Sequence, residues 1–155
     1  MSIKDILDRH NKKVDAIDEI KDEEGQKFHD SEERAKSFIR NVISPALQSL
    51  KEEFETDGVN RKVSIELKPE SFFAAITIME ETVKEFYYEL NLRVNETDFW
   101  VKVVYHHIKR NGTFNYIPEQ DLNLRKPLAQ VTEADIRNDF YQRYDQYMLL
   151  KEPNL

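Results

Sequence analysis

Residues 61–117 read RKVSIELKPESFFAAITIMEETVKEFYYELNLRVNETDFWVKVVYHHIKRNGTFNYI, and their alternation decides the fold. In 61–68, Val63, Ile65 and Leu67 point one way while Ser64, Glu66 and Lys68 point the other, the period-two pattern of a half-buried strand. Pro69-Glu70 turns the chain, because proline fixes its own φ and cannot donate to a ladder. Residues 72–79 are apolar on both parities, which suits a central strand covered on both sides. In 85–94, Phe86, Tyr88, Leu90, Leu92 and Val94 oppose Glu85, Tyr87, Glu89, Asn91 and Arg93. In 99–108, Phe99, Val101, Val103 and Tyr105 oppose Trp100, Lys102, Val104 and His106. Asn111-Gly112 carries the signature of a type I′ hairpin, since both central residues of that turn need φ > 0, and it returns the chain into a fifth strand at 113–117. Connections this short require antiparallel pairing, so the stretch predicts a meander of about five strands.

Helices frame it. Ser2 and Asp5 approximate a capping box. Ile3, Leu7, His10, Val14 and Ile17 then recur at spacings of four and three, the seam of an amphipathic or coiled-coil helix. Gly25 marks a break or hinge. A second helix follows, with Phe28, Ala35, Phe38, Ile39, Val42, Ile43, Ala46, Leu47, Leu50 and Phe54 at helical spacing. Ser44-Pro45 inside it is either a kink or a fresh helix start. Gly58 is a stop. Thr132 and Asp135 open the last helix, Ile136, Phe140, Tyr144, Tyr147 and Met148 form its apolar stripe, and Pro153 ends it. The expectation is a single α+β domain over 1–155: two N-terminal helices in 1–57, the antiparallel sheet and a loop in 58–131, and a helix packed on the sheet in 132–155.

Composition bounds the function classes. The 155 residues suffice for a core, and 39% hydrophobic content with one Trp, seven Tyr and nine Phe speaks against disorder despite 34% charge. No apolar run approaches the roughly 20 residues of a membrane helix. The N-terminus lacks a signal-peptide core and is too acidic for a transit peptide, so a cytoplasmic protein with no membrane association is expected. The absence of cysteine excludes disulfides, thiol catalysis and thiolate-bound zinc. Residues 1–57 hold 10 Lys and Arg against 15 Asp and Glu, giving −5 of the net −7, while 58–131 balance at 10 against 10. An acidic helical part over a neutral sheet is a poor surface for phosphate backbones, which argues against nucleic acid as a partner.

No catalytic, cofactor or metal signature is read from the chain. His106 and His107 are strand neighbours and project to opposite faces, so they cannot chelate one ion; a partly buried His107 and a surface His106 are expected. No H-x-x-x-H spacing or G-x-S-x-G elbow exists, and Gly25, Gly58 and Gly112 stand too far apart to cradle a phosphate. The carboxylate pairs Glu23-Glu24, Glu52-Glu53 and Glu80-Glu81 fall on helix faces or in a turn, without the burial that acid–base work needs. The reading therefore leans away from an enzyme.

Two surfaces remain. Tyr87, Arg93, Trp100, Lys102 and His106 share a sheet face if the register is that of a simple meander. Aromatics among Arg and Lys can stack bases or grip a peptide, though Glu66, Glu85 and Glu89 on the same parity weaken the base-stacking version. The bland alternative is a helix packed over that face. The N-terminal helix, with Ile3, Leu7, Val14 and Ile17, has a seam of about two and a half heptads, too few for a secure isolated coiled coil. It is marginal alone in water, so it must dock on its own sheet, a second copy or another protein. The expected function is non-enzymatic protein–protein interaction, as an adaptor or self-associating subunit. The alternative is a ligand-binding or enzymatic domain with a pocket between sheet and helices, where Tyr88, Tyr105 and Tyr144 would supply hydroxyls.

Overall fold

The structure is a computed structural model describing residues 2–56, 58–107, 117–122 and 127–150, with side chains described throughout these except at 10–27, 107 and 150. Helix α1 (Ile3–Phe38) starts at the expected capping box: the Ser2 hydroxyl accepts from the Asp5 N–H and the Asp5 carboxylate from the Ser2 N–H, both at 3.2 Å. It does not break at Gly25; α1 is one helix of 36 residues, about 54 Å long at 1.5 Å per residue. A single interior glycine costs only about 1 kcal/mol relative to alanine, and the surrounding Glu23, Glu24, Gln26 and Lys27 are good helix formers. The break comes later and is softer. Pro45 has no N–H to donate and its ring crowds the carbonyl four residues back, at Asn41. The chain answers with one wide turn, a π-helix at Ile39–Ile43 in which the Ser44 N–H donates to the Ile39 carbonyl, and then runs on as α2 (Ser44–Phe54). The two expected N-terminal helices are thus joined end to end. Helix α2 ends at Phe54, and Gly58 lies beyond it with φ 98°, a left-handed conformation that glycine adopts without strain.

The sheet is the expected antiparallel meander in the order β1-β2-β3-β4-β5, with β1 Lys62–Lys68, β2 Phe73–Glu80, β3 Val83–Val94, β4 Phe99–His107 and β5 Gln120–Asp121. The fifth strand differs from expectation. Asn111-Gly112 and residues 113–116 lie outside the described residues, and Ile117 is in no strand; the segment that pairs with β4 is Gln120–Asp121, through Lys102↔Asp121 and Val103↔Gln120. The β3–β4 turn is built by Asn95, whose side-chain oxygen accepts from the N–H groups of Thr97 and Asp98.

One face of the sheet carries the core. Val63, Ala74, Ile76, Ile78, Phe86, Tyr88, Leu90, Leu92, Phe99, Val101, Val103 and Tyr105 are buried there against Ala35, Phe38, Ile39, Ile43, Leu47, Leu50 and Phe54 of the N-terminal helices. Helix α3 (Glu133–Leu150), opened by a Thr132–Asp135 cap, adds Ile136, Phe140 and Tyr147. Phe140 stands edge-on to Phe54, Phe86 and Tyr88 at 5.3–5.8 Å between ring centres. Of the expected α3 stripe, Met148 is exposed. Its place on the buried face is taken by Asp139 and Arg143, which share the 3.6-residue repeat with Ile136, Phe140 and Tyr147. Strand β2 is covered unevenly: Ala74, Ile76 and Ile78 face the core, while on the opposite parity Ala75 is buried and Phe73, Thr77 and Met79 are half-buried.

Candidate interaction surfaces

The two ends of α1 stand in different environments. From Ser31 onward the helix is tied to the sheet: the Ser31 hydroxyl donates to the Glu96 carbonyl at 3.2 Å, and Arg34 donates to the Thr97 carbonyl at 2.8 Å and pairs with Asp98 at 3.4 Å. Ala35 and Phe38 then enter the core, Phe38 packing on Phe99 at 5.5 Å. At the other end Ile3 is 77% exposed, Ile6 52% and Leu7 55%. Ile6, which the four-three spacing passed over, widens the apolar stripe. Phe28, read as part of the packed helix, is 40% exposed. Val14 and Ile17 sit on the same continuous helix, outside the residues whose side chains are described.

The meander register brings the sheet-face residues onto one side: Tyr87 lies opposite His106, Arg93 opposite Trp100, and Asn91 opposite Lys102. The helix contacts named above all fall on the other side. Trp100 is 41% exposed at the edge of this face. Tyr87 and His106 stack with ring centres 4.7 Å apart, so His106 is half-buried rather than on the open surface. Burial pulls its imidazole below the ordinary value, with Glu89 opposing the shift. Burial also raises the Tyr87 phenol, helped by Glu89, to which its hydroxyl donates; the Asn91 amide donates to the same carboxylate. Arg93 pairs with Glu119 at 2.9 Å and Lys102 with Asp121 at 2.6 Å. Both cations are thereby neutralised within the fold, which makes the face a weak platform for phosphates.

Glu85 leaves this face altogether. A bulge shifts the β2–β3 register, with Ile78 opposite Phe86 but Met79 opposite Lys84, and turns Glu85 inward, where it is 4% exposed. There it accepts from the Tyr144 hydroxyl at 2.6 Å and from Arg61 Nε at 3.2 Å. A second buried polar group joins β3 to α3. The Tyr88 hydroxyl donates to Asp139 at 2.6 Å, Arg143 Nε donates to the same oxygen at 2.9 Å, and Arg143 Nη1 reaches the Gln120 side chain at 2.7 Å with its guanidinium over the Tyr105 ring. The sequence reading missed this cluster. Its only signal was Asp139 and Arg143 at i, i+4, a spacing equally common on solvated helices.

A cleft of about 460 Å³ opens beside Arg143, lined by Gln120, Asp121, Leu122, Asp139, Gln142 and Gln146. Two of the three tyrosines offered as pocket handles, Tyr88 and Tyr144, already donate their hydroxyls to Asp139 and Glu85. Among the described residues no three His, Asp or Glu side chains converge as metal ligands, and no described helix is long and apolar enough to cross a membrane. Comparison of the chain with family models, curated proteins and solved structures returns no match.

Proposed function

We propose that this protein is a non-enzymatic assembly module whose contact element is the N-terminal half of α1. The observation that carries the reading is the exposure of Ile3, Ile6 and Leu7 on a helix whose described side chains are tied to the sheet and core from Ser31 onward. An amphipathic helix standing in water is marginal by itself, and an apolar stripe left open needs a partner surface to bury it. Trp100, exposed on the sheet face opposite the described core, and the half-buried Tyr87 offer a second, smaller contact.

The test is the double variant Ile3→Asp with Leu7→Asp in the full chain. The expected result is an unchanged thermal midpoint and near-ultraviolet spectrum, with loss of whatever association the unmodified chain shows in light scattering. A variant that melts far below the unmodified protein would make this end of the helix part of the core and end the proposal.

A second reading is favoured by the cleft beside Arg143, whose volume lies within the ~300–1,000 Å³ of small-molecule sites. It predicts that a small carboxylate such as citrate shifts the side-chain amide resonances of Gln120, Gln142 and Gln146. Resonances that stay in place would leave Asp139 and Arg143 as structural groups.

A further inference from the structure

We propose that the partner of the helical arm is a second copy of this chain, laid antiparallel along it. This rests on the assembly reading above and adds the identity and direction of the partner.

Three observations carry it. The seam Ile3, Leu7, His10, Val14, Ile17 repeats every 3.5 residues on average, and that period matches another helix supercoiling along the first rather than a sheet. Second, charge is segregated along the arm. Residues 1–13 hold Lys4, Arg9, Lys12 and Lys13 against Asp5 and Asp8, four against two, or +2. Residues 14–30 hold Lys21 and Lys27 against Asp15, Asp18, Glu19, Asp22, Glu23, Glu24 and Asp30, two against seven, or −5. Third, α1 passes through Gly25 without a break, so both segments lie on one rod.

Two such rods side by side have two arrangements. A parallel pair sets −5 against −5 and brings the two acidic domains together at one end. An antiparallel pair sets the +2 segment of each arm against the −5 segment of the other. It also carries the folded domains to opposite ends, separated by far more than the Debye length of about 8 Å at physiological salt. A parallel pair sets Ile3 and Leu7 on their own copies, whereas an antiparallel pair centred near residue 14 sets them against the stretch around Lys21 and Gly25, so the antiparallel direction rests on the charge distribution.

Since the chain has no cysteine, single labels can be introduced cleanly. Spin labels on Lys4→Cys and, separately, on Asn11→Cys report distances between copies in the full-length protein. Pairing centred near residue 14, where the charge changes sign, places the two residue-4 labels about 30 Å apart along the axis and the residue-11 labels within about 20 Å. Short distances at both positions would mean a parallel pair, overturning the direction while leaving the assembly reading intact. A monomer at every concentration would overturn self-pairing outright. Salt supplies an independent sign. Raising it from about 50 to about 500 mM should weaken an antiparallel pair roughly fivefold or more, whereas a parallel pair, relieved of repulsion, would tighten.

Discussion

The two ends of α1 are made of similar material and do different work. Ile3, Ile6 and Leu7 at one end, and Ala35, Phe38 and the following Ile39 at the other, are apolar residues on one unbroken helical run. The second set is buried because Ser31 and Arg34 pin that end to the β3–β4 turn. The first set projects beyond that tie. An apolar stripe does not by itself reveal whether it is core or contact; what it can reach decides.

The sharpest way to break this comparison is to truncate one apolar residue from each end. Phe38→Ala should cost about 3–5 kcal/mol of unfolding free energy, since it empties a space against Phe99, whereas Leu7→Ala should stay within about 0.5 kcal/mol. Equal losses in denaturant melts of dilute protein would erase the distinction between the two ends.

The packed side can be tested through its polar joint. Asp139→Ala leaves Arg143 and the Tyr88 hydroxyl buried without their shared acceptor, and should cost about 3 kcal/mol in the same melts. A loss under about 1 kcal/mol would place the joint in reach of water.

A smaller effect separates one rod from two. If α1 runs continuously through Gly25, Gly25→Ala should favour the helix by about 0.5–1 kcal/mol locally and raise helical ellipticity, without moving the unfolding midpoint of the folded domain in dilute solution. Reduced ellipticity would mean that the chain needs a bend there.

The smallest effect concerns the sheet face on which Tyr87 and His106 stack. Burial lowers the folded-state pKa of His106 below 6.5, so the unfolded chain takes up this proton first as pH falls. The contribution of neutral His106 is present above pH 6.5 and is lost as pH falls from there through the lowered folded-state value. His106→Gln should flatten that part of the stability profile. An unchanged slope between about pH 7 and pH 5 would assign the acid sensitivity to other groups.

Much of the fold was legible because alternation is a strong signal when only one sheet face is buried: Val63, Phe86, Tyr88, Leu90, Val101 and Val103 all face the core as read. The departures occur where local pattern and tertiary packing part. Glu85 fits the outward parity, yet a bulge one residue before Phe86 turns it inward, and nothing in the alternation marks the extra residue. Gly25 reads as a break because glycine is a poor helix former, but its neighbours carry the helix past it. Met148 and Tyr144 looked more apolar than Asp139 and Arg143. The buried face of α3 nevertheless includes the charged pair, because Tyr88 and Gln120 lie opposite to complete its hydrogen bonds. Both candidate surfaces were visible as residue patterns. Their exposure was not, since that depends on which face of the sheet the helices cover.

Amide hydrogen exchange of the full chain at low and high protein concentration tests the central claim most directly. In dilute protein, residues 3–24 should exchange orders of magnitude faster than residues 31–38, as expected if the arm on which Ile3, Ile6 and Leu7 stand exposed is held only by its own helical hydrogen bonds. At high concentration their protection should rise while that of residues 31–38 stays constant. Equal and concentration-independent protection along the whole of α1 would contradict the account, because it would place the arm in the monomer's own core.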